Sequence, residues 1–181
     1  LRRSSAASDV YKRQGYYHRE TLLPRHTPTY GLLDVLKGGV ERPVFSSVNA
    51  SNHLITLAEM LALYLLTWSP ACWQGLSRVK PPGLSDANRD RYAAEDECLA
   101  EFVEDLPSAR RVFAHLPVAM MFDDHDITDD WNLSREWEEI VYGNPLSNRI
   151  IGNALMAYLV NQGWGNAPER FDDELWDMFQ G

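Results

Sequence analysis

The chain has 181 residues, of which 45% are hydrophobic and 24% charged, and its formal net charge is −9. This acidic balance argues against a nucleic-acid backbone as partner, because phosphate binding needs clustered Lys and Arg. The supply of large apolar and aromatic residues excludes a disordered chain and is sufficient for one core. Cys72 and Cys98 have no CxxC spacing, so neither a zinc ribbon nor a disulfide framework is indicated.

The first 14 residues do not read as native sequence. Residues 4–14, SSAASDVYKRQ, resemble the in-frame translation of a sequencing adapter, so we expect residues 1–14 to be a scar without targeting meaning. They hold four basic and one acidic side chain, which leaves 13 basic and 25 acidic side chains and a net charge of −12 in residues 15–181. We expect residues 15–181 to be the middle portion of one domain, truncated at both ends. The cellular compartment and the oligomeric state stay open.

The first half of the chain predicts a loop region followed by a buried helix. Residues 15–43 are punctuated by Gly and Pro and predict irregular surface structure, in which His18 and His26 are solvated. Residues 46–68 open with cap-type residues and become apolar on almost every side, which predicts a buried helix. The apolar run over 54–68 is too short for a transmembrane span, which needs roughly 20 residues.

The second half predicts amphipathic helices. Residues 88–115 alternate charged and apolar positions and indicate one long helix or two short ones broken at Pro107. Three further helices are predicted: one capped by Asn132 or Ser134 and ending at Gly143, one over 146–159, and one opening at Pro168.

Between these helices, an apolar run ends abruptly in acidic residues. The run Val118–Phe122 is typical of a strand covered on both faces, as in a parallel α/β sheet. Ligands of such sheets bind beyond the carboxyl ends of the strands, where the acids fall. The cluster comprises Asp123, Asp124, His125, Asp126, Asp129 and Asp130.

So many titratable groups in eight positions repel one another unless cations neutralise them. Solvation alone would suffice if the loop were extended and exposed. The preceding apolar run and the histidine, which exchanges a proton near neutral pH, favour a metal or catalytic site instead. An EF-hand is not indicated, because the required glycine and glutamate are missing from their positions.

The stretch FDDHDITDDWNL (residues 122–133) resembles the DDH[DE] block of the PhoD-like alkaline phosphatase family, within the calcineurin-like metallophosphoesterases. The flanks SSVNASNHLITLAEMLALYLLTWSP and REWEEIVYGNPLSNRIIGNALMAYLVNQGWGN are similar to the surroundings of that block, so the resemblance covers most of residues 46–171. It implies an α/β metallophosphoesterase sandwich, to which this mainly α-helical piece contributes one core β-strand at about 117–122.

The resemblance also implies roles for individual residues. Asp124 takes the place of a metal-binding Asn in the wider superfamily, and Asp123 is a second candidate ligand. His125 matches the catalytic histidine that contacts the phosphate and protonates the leaving group, and Asp126 matches the catalytic acid that orients this histidine. Supporting or loop-capping roles fall to Asp129, Asp130 and Asn132.

The implied activity is metal-dependent hydrolysis of small-molecule phosphate esters, mono- or diesters, with divalent or trivalent ions such as Fe, Mn, Ca or Zn as cofactors. The family's GDQIYAD-type and GDxH-type blocks, which supply further ligands, do not occur in residues 15–181. We therefore expect this chain alone to be inactive. Two alternatives are an HD-type metal phosphohydrolase, suggested by the His125-Asp126 doublet, and a non-catalytic helical module that binds a cation or a basic partner.

Overall fold

The structure, a computed structural model, describes residues 19, 22–26, 42–45, 53–80, 84–129 and 131–171. The predictions for residues 1–14, 46–52 and 172–179, for His18 and for Asp130 lie outside these residues. The chain divides into two compact units. The first unit comprises 1–60 and 121–160, and the second comprises 61–120 and 161–181.

Helices dominate the described residues. None of these helices combines the length and the apolar surface that crossing a bilayer would need. The elements in chain order are β1 (Arg25–His26), β2 (Arg42–Pro43), α1 (Leu57–Trp68), a 3-10 helix (Pro70–Trp73), α2 (Asp86–His115), a 3-10 helix (Asp124–Asp126), α3 (Arg135–Tyr142), α4 (Pro145–Tyr158), a π-helical segment (Leu159–Gly163), α5 (Trp164–Asn166) and a 3-10 helix (Pro168–Arg170).

The core of the first unit gathers around α3, α4 and the short β1–β2 pair. The two strands are antiparallel, and the Trp137 indole N–H donates to the Val44 carbonyl oxygen at 3.0 Å. The Phe45 ring meets the Trp137 ring edge-on at 6.4 Å. The prediction of irregular surface structure over 15–43 was therefore wrong at the β1–β2 pair and at the buried Leu23. The buried apolar side chains of this unit are Leu23, Val44, Phe45, Met60, Ile127, Trp137, Val141, Ile150, Ile151, Ala154 and Ala157.

A reciprocal capping box starts α1. The Thr56 backbone N–H donates to Glu59 Oε2 at 3.0 Å, and the Glu59 backbone N–H donates to Thr56 Oγ1 at 3.3 Å. Arg19 reaches the same carboxylate through both terminal nitrogens, at 2.9 and 2.5 Å. Glu59, which interrupts the apolar pattern of the sequence, therefore accepts hydrogen bonds from backbone N–H groups just before the helix.

The prediction that α1 is buried on almost every side was wrong. Met60 is its only buried residue, while Leu63 and Leu65 are 48% and 50% exposed. Apolar composition alone cannot tell a helix enclosed by other elements from one covered on a single side.

In the second unit, α2 is one continuous helix of 30 residues that includes Pro107. Ser85 caps it by accepting a hydrogen bond from the Asn88 backbone N–H at 3.4 Å. Pro107 removes one intrahelical hydrogen bond but does not end the helix. The neighbouring Leu106 is buried. The single-helix alternative is thus confirmed.

The core strand expected over residues 117–122 was wrong for this chain. These residues form no strand, and Val118 and Met121 are 40% and 83% exposed. A strand requires a partner for its backbone groups, and at Met120 a side chain supplies one. The Asn166 amide accepts a hydrogen bond from the Met120 backbone N–H at 2.8 Å and donates one to the Met120 carbonyl oxygen. The surrounding α/β sandwich stays a prediction.

After the acidic cluster, the helix boundaries follow the sequence prediction closely. Ser134 caps α3 by accepting from the Trp137 backbone N–H at 3.2 Å, and the helix ends at Gly143. Asn132, the other possible cap, adopts a left-handed backbone with φ of 56° instead. The next helix, α4, is followed by the π-helical segment that ends at Gly163.

Candidate metal and phosphate site

The acidic turn, which we define as residues 123–129, is built by its own aspartates. Asp123 precedes the 3-10 helix Asp124–Asp126 as its N-cap, and its Oδ1 accepts a hydrogen bond from the Asp124 backbone N–H at 2.9 Å. In return, the Asp123 backbone N–H donates to Asp126 Oδ2 at 2.9 Å. Such a reciprocal capping box satisfies orphan donors locally, so the turn holds its shape through short-range hydrogen bonds.

The base of the acidic turn is anchored in the core of the first unit. Ile127 and Thr128 are only 3% and 2% exposed, and the backbone N–H groups of both donate to the Asp124 carbonyl oxygen at 2.8 Å. The Phe122 ring, on the other side of the turn, packs against Trp131 at 5.3 Å and Tyr158 at 4.8 Å. Polar side chains therefore project outward from a turn that is fixed at both ends by apolar packing.

Asp129 orients the histidine. His125 Nδ1 donates a hydrogen bond to Asp129 Oδ1 at 2.9 Å, while His125 Nε2 lies 3.7 Å from Asp124 Oδ1. The Asp129 hydrogen bond, followed by the charge of Asp124, raises the pKa of His125 above its ordinary value of 6.5. The resemblance implied this orienting role for Asp126, whereas in the structure Asp126 Oδ2 accepts the Asp123 backbone N–H and so serves as the cap.

Three side chains of the turn can converge on a cation. One ligand atom each from Asp123, Asp124 and His125 lies within 4.8 Å of the others. The Oδ1 atom of each carboxylate accepts a hydrogen bond from the backbone N–H of the following residue. Hydrogen bonding with the Asp123 side chain, and then with the His125 backbone N–H, lowers the pKa of Asp124, so it stays ionised.

The donor set fits a metal in part. Two carboxylates and an imidazole suit borderline cations, and an imidazole whose Nδ1–H is held by a carboxylate presents its Nε2 in the manner of metal-bound histidines. Hard and borderline cations take four to six or more ligands, however, and the group found among the described residues supplies three. Further ligands would have to complete the site.

A second histidine lies beside the turn and was not included in the sequence-based site. The His53 side chain is half-buried, its ring lies tilted against the Phe45 ring with centroids 5.2 Å apart, and its Nδ1 donates to the Leu54 carbonyl oxygen at 2.7 Å. Burial lowers its pKa below 6.5, although backbone hydrogen bonds with Leu54 and Ile127 and the charge of Asp129 act in the opposite direction. Position 53 is far from the acidic run in sequence, so no spacing rule could have connected it to the turn.

The remaining predicted residue, Asn132, supports the loop after the turn. Its Oδ1 accepts a hydrogen bond from the Tyr142 hydroxyl at 2.7 Å, and its left-handed backbone is one that Asn tolerates better than most residues. It does not belong to the group that could hold a metal.

Comparison with known proteins adds no identification: no family model, curated protein or solved structure matches this chain.

Proposed function

We propose that the chain supplies the histidine-aspartate corner of a metal-dependent phosphoester hydrolase. The observation that carries this proposal is the convergence of Asp123, Asp124 and His125 within 4.8 Å on an exposed turn. Simple solvation of acids would not require an imidazole held at Nδ1 by Asp129, with its Nε2 left beside Asp124. The resemblance of residues 122–133 to the DDH[DE] block supports the same reading.

Each residue has a distinct part in this proposal. Asp124, with Asp123 as the second candidate, contributes a carboxylate oxygen to a metal ion. His125 is not a metal ligand in this assignment: its Nε2 contacts the phosphoryl group and gives a proton to the leaving oxygen. Asp129 fixes the imidazole orientation and favours its protonated form, which is the form a general acid needs at neutral pH. A bound metal would polarise the phosphoryl group and activate water.

The HD-type alternative is less favoured, because in HD-type enzymes the His-Asp doublet lies on an α-helix. Here His125 and Asp126 lie on a 3-10 helix of three residues, and the two side chains serve the turn separately. A non-catalytic cation-binding module remains the second candidate, since three exposed ligand atoms suffice for weak cation binding.

Metal binding by the chain itself is the first test. We expect Mn²⁺ to broaden the NMR signals of residues 123–125 of the 181-residue chain at weak affinity, because the turn offers at most three ligand atoms, too few for tight binding. Asp124→Asn should remove this selective broadening, whereas Asp105→Asn, an exposed aspartate of α2, should leave it unchanged. Equal broadening in the Asp124→Asn variant would contradict the assignment of Asp124 as a ligand.

Catalysis is tested in a protein that carries this chain together with GDQIYAD-type and GDxH-type blocks. Asp124→Asn and His125→Ala should abolish turnover of p-nitrophenyl phosphate while folding is retained. Unchanged turnover would refute the hydrolase proposal and favour the cation-binding module. The 181-residue chain alone should not turn over this substrate, and robust metal-dependent hydrolysis by it would contradict the three-ligand argument.

A further inference from the structure

An exposed and uncharged stretch of chain, residues 116–122, joins α2 to the acidic turn. Leu116, where α2 ends, and Asp123, where the turn begins, both have extended backbone, and residues 117–122 between them form neither helix nor turn. Leu116, Val118 and Met121 are 57%, 40% and 83% exposed. The stretch therefore has the composition of a strand and lies at the surface, but it belongs to no sheet among the described residues.

Asn166 takes the place of a neighbouring strand on one edge of this stretch. Its side-chain amide accepts a hydrogen bond from the Met120 backbone N–H at 2.8 Å and donates one to the Met120 carbonyl oxygen, as a residue of an antiparallel strand does. In an extended chain, successive residues direct their backbone groups to opposite edges. Ala119 and Met121 therefore direct theirs to the second edge, where the described residues offer them no hydrogen bond.

An apolar edge with unpaired backbone groups is a template for an extended chain from outside. The two ends of the stretch carry opposite charges: the basic end precedes it with Arg110, Arg111 and His115, and the acidic end follows it with Asp123, Asp124 and Asp126. Two copies that run antiparallel bring the basic end of one beside the acidic end of the other, whereas parallel copies bring acids against acids. The flanking charges thus favour a second, antiparallel copy of the same stretch.

We propose that residues 118–121 pair antiparallel with the same residues of a second copy of this chain. Ala119 and Met121 of each copy supply the inter-strand hydrogen bonds, and the two-fold arrangement makes both copies equivalent. So short a pairing buries far less than the roughly 1,200–2,000 Å² of a stable interface, so the dissociation constant lies between about 1 μM and 1 mM. The pairing needs only the charge of the acidic turn and does not depend on the phosphoester hydrolase proposal.

Sedimentation and amide hydrogen exchange of the 181-residue chain, from about 10 μM to about 1 mM, test the inference. We expect a dimer that increases with concentration. The Ala119 and Met121 amides should exchange more slowly as it forms, whereas the Val118 amide, which faces the other edge, should not change. A monomer throughout this range, or a dimer in which Ala119 and Met121 gain no protection, would overturn the proposal.

A proline variant tests the backbone contact. Met121→Pro removes one N–H from the proposed edge at a side chain that is 83% exposed. Because both copies lose a hydrogen bond, the dimer should weaken by roughly tenfold. Val79→Pro, at a position that is 75% exposed and outside any helix or strand, is the matched control and should change nothing. If the two proline variants dimerise equally well, the assigned edge is refuted.

Charge reversal tests the antiparallel orientation. Arg111→Glu and Arg149→Glu, an exposed position of α4, change the net charge equally, so any difference between them comes from the position of the charge. Arg111→Glu places acids beside acids at both ends of the antiparallel pair, and its dimer should be weaker by roughly twofold to fivefold. Equal dissociation constants in the two variants would contradict the antiparallel pairing.

Discussion

Replacing Glu59 with Gln tests the electrostatic support at the start of α1. The Arg19 guanidinium, together with the backbone N–H groups of Thr56 and Ile55, holds the pKa of Glu59 at about 2 instead of 4.5. Each tenfold change in proton affinity corresponds to about 1.4 kcal/mol, so the full difference is worth about 3.4 kcal/mol. The Glu59 side chain is 26% exposed, and solvent screening reduces the contribution to about 1–2 kcal/mol.

The pH dependence gives this prediction its sign. A carboxyl group with a lowered pKa in the folded state stabilises the fold fully above the unfolded pKa, and this contribution disappears as the pH falls through the folded pKa. The free energy of unfolding of Glu59→Gln should therefore lie below that of the unmodified chain at neutral pH. The difference should shrink between pH 4.5 and about 2, where the unmodified carboxylate is itself protonated.

Urea denaturation followed by circular dichroism, at neutral pH and at about pH 3, measures this difference. Glu139→Gln is the matched control, because Arg135 and Glu139 form an exposed pair on α3 with side chains 89% and 55% exposed. Exposed pairs of this kind contribute about 0.3–0.5 kcal/mol. A stability difference between Glu59→Gln and the unmodified chain that does not change with pH would refute the reasoning.

Two further predictions concern the first unit. Asp129→Asn should bring the pKa of His125 down toward its ordinary value, because the main cause of its elevation is removed. NMR titration of the imidazole measures this, and an unchanged titration would show that Asp129 does not orient the ring. Trp137→Phe should destabilise the fold by ~1–3 kcal/mol, since the buried Val44 carbonyl loses its donor. In urea denaturation, Trp164→Phe, at a half-exposed position, should cost less, and equal losses would contradict this explanation.

Helix ends, which depend on residues close together in sequence, were predicted well. Ser134 and Gly143 mark the ends of α3, because caps and stops depend on residues only a few positions apart. The same is true of the apolar spacing that predicted α4. Helix boundaries of this kind need no knowledge of the rest of the fold.

Strand formation and burial, which depend on distant parts of the chain, were not predicted correctly. The apolar run Val118–Phe122 has strand composition, but strand formation depends on a neighbouring strand that composition cannot supply. The prediction that α1 is buried was wrong for the same reason, because packing by other elements decides burial and Leu63 and Leu65 are exposed. His53 reaches the acidic turn from a position about 70 residues earlier, and a lone histidine has no spacing pattern that would reveal this.

Within the acidic turn, the predicted and the observed partner of the His125 ring differ. The resemblance to the DDH[DE] block implied that Asp126 orients His125. In a 3-10 turn, however, the residue three positions after the N-cap returns to the N-cap backbone, which is the position of Asp126. The carboxylate four positions after His125 is then the one within reach of its ring, and this is Asp129.

Separating the cap from the metal ligand therefore gives the sharpest test of the turn. Asp126→Ala removes the acceptor for the Asp123 backbone N–H and should destabilise the turn by about 1 kcal/mol, the usual cost of a lost cap. Asp124→Asn keeps this capping box and should lower cation affinity without that loss of stability. Thermal unfolding and Mn²⁺-dependent NMR broadening measure the two effects independently. If Asp126→Ala abolished the broadening while the turn kept its native amide shifts, Asp126 would be a ligand, because loss of the cap could not explain a folded turn that no longer binds the ion.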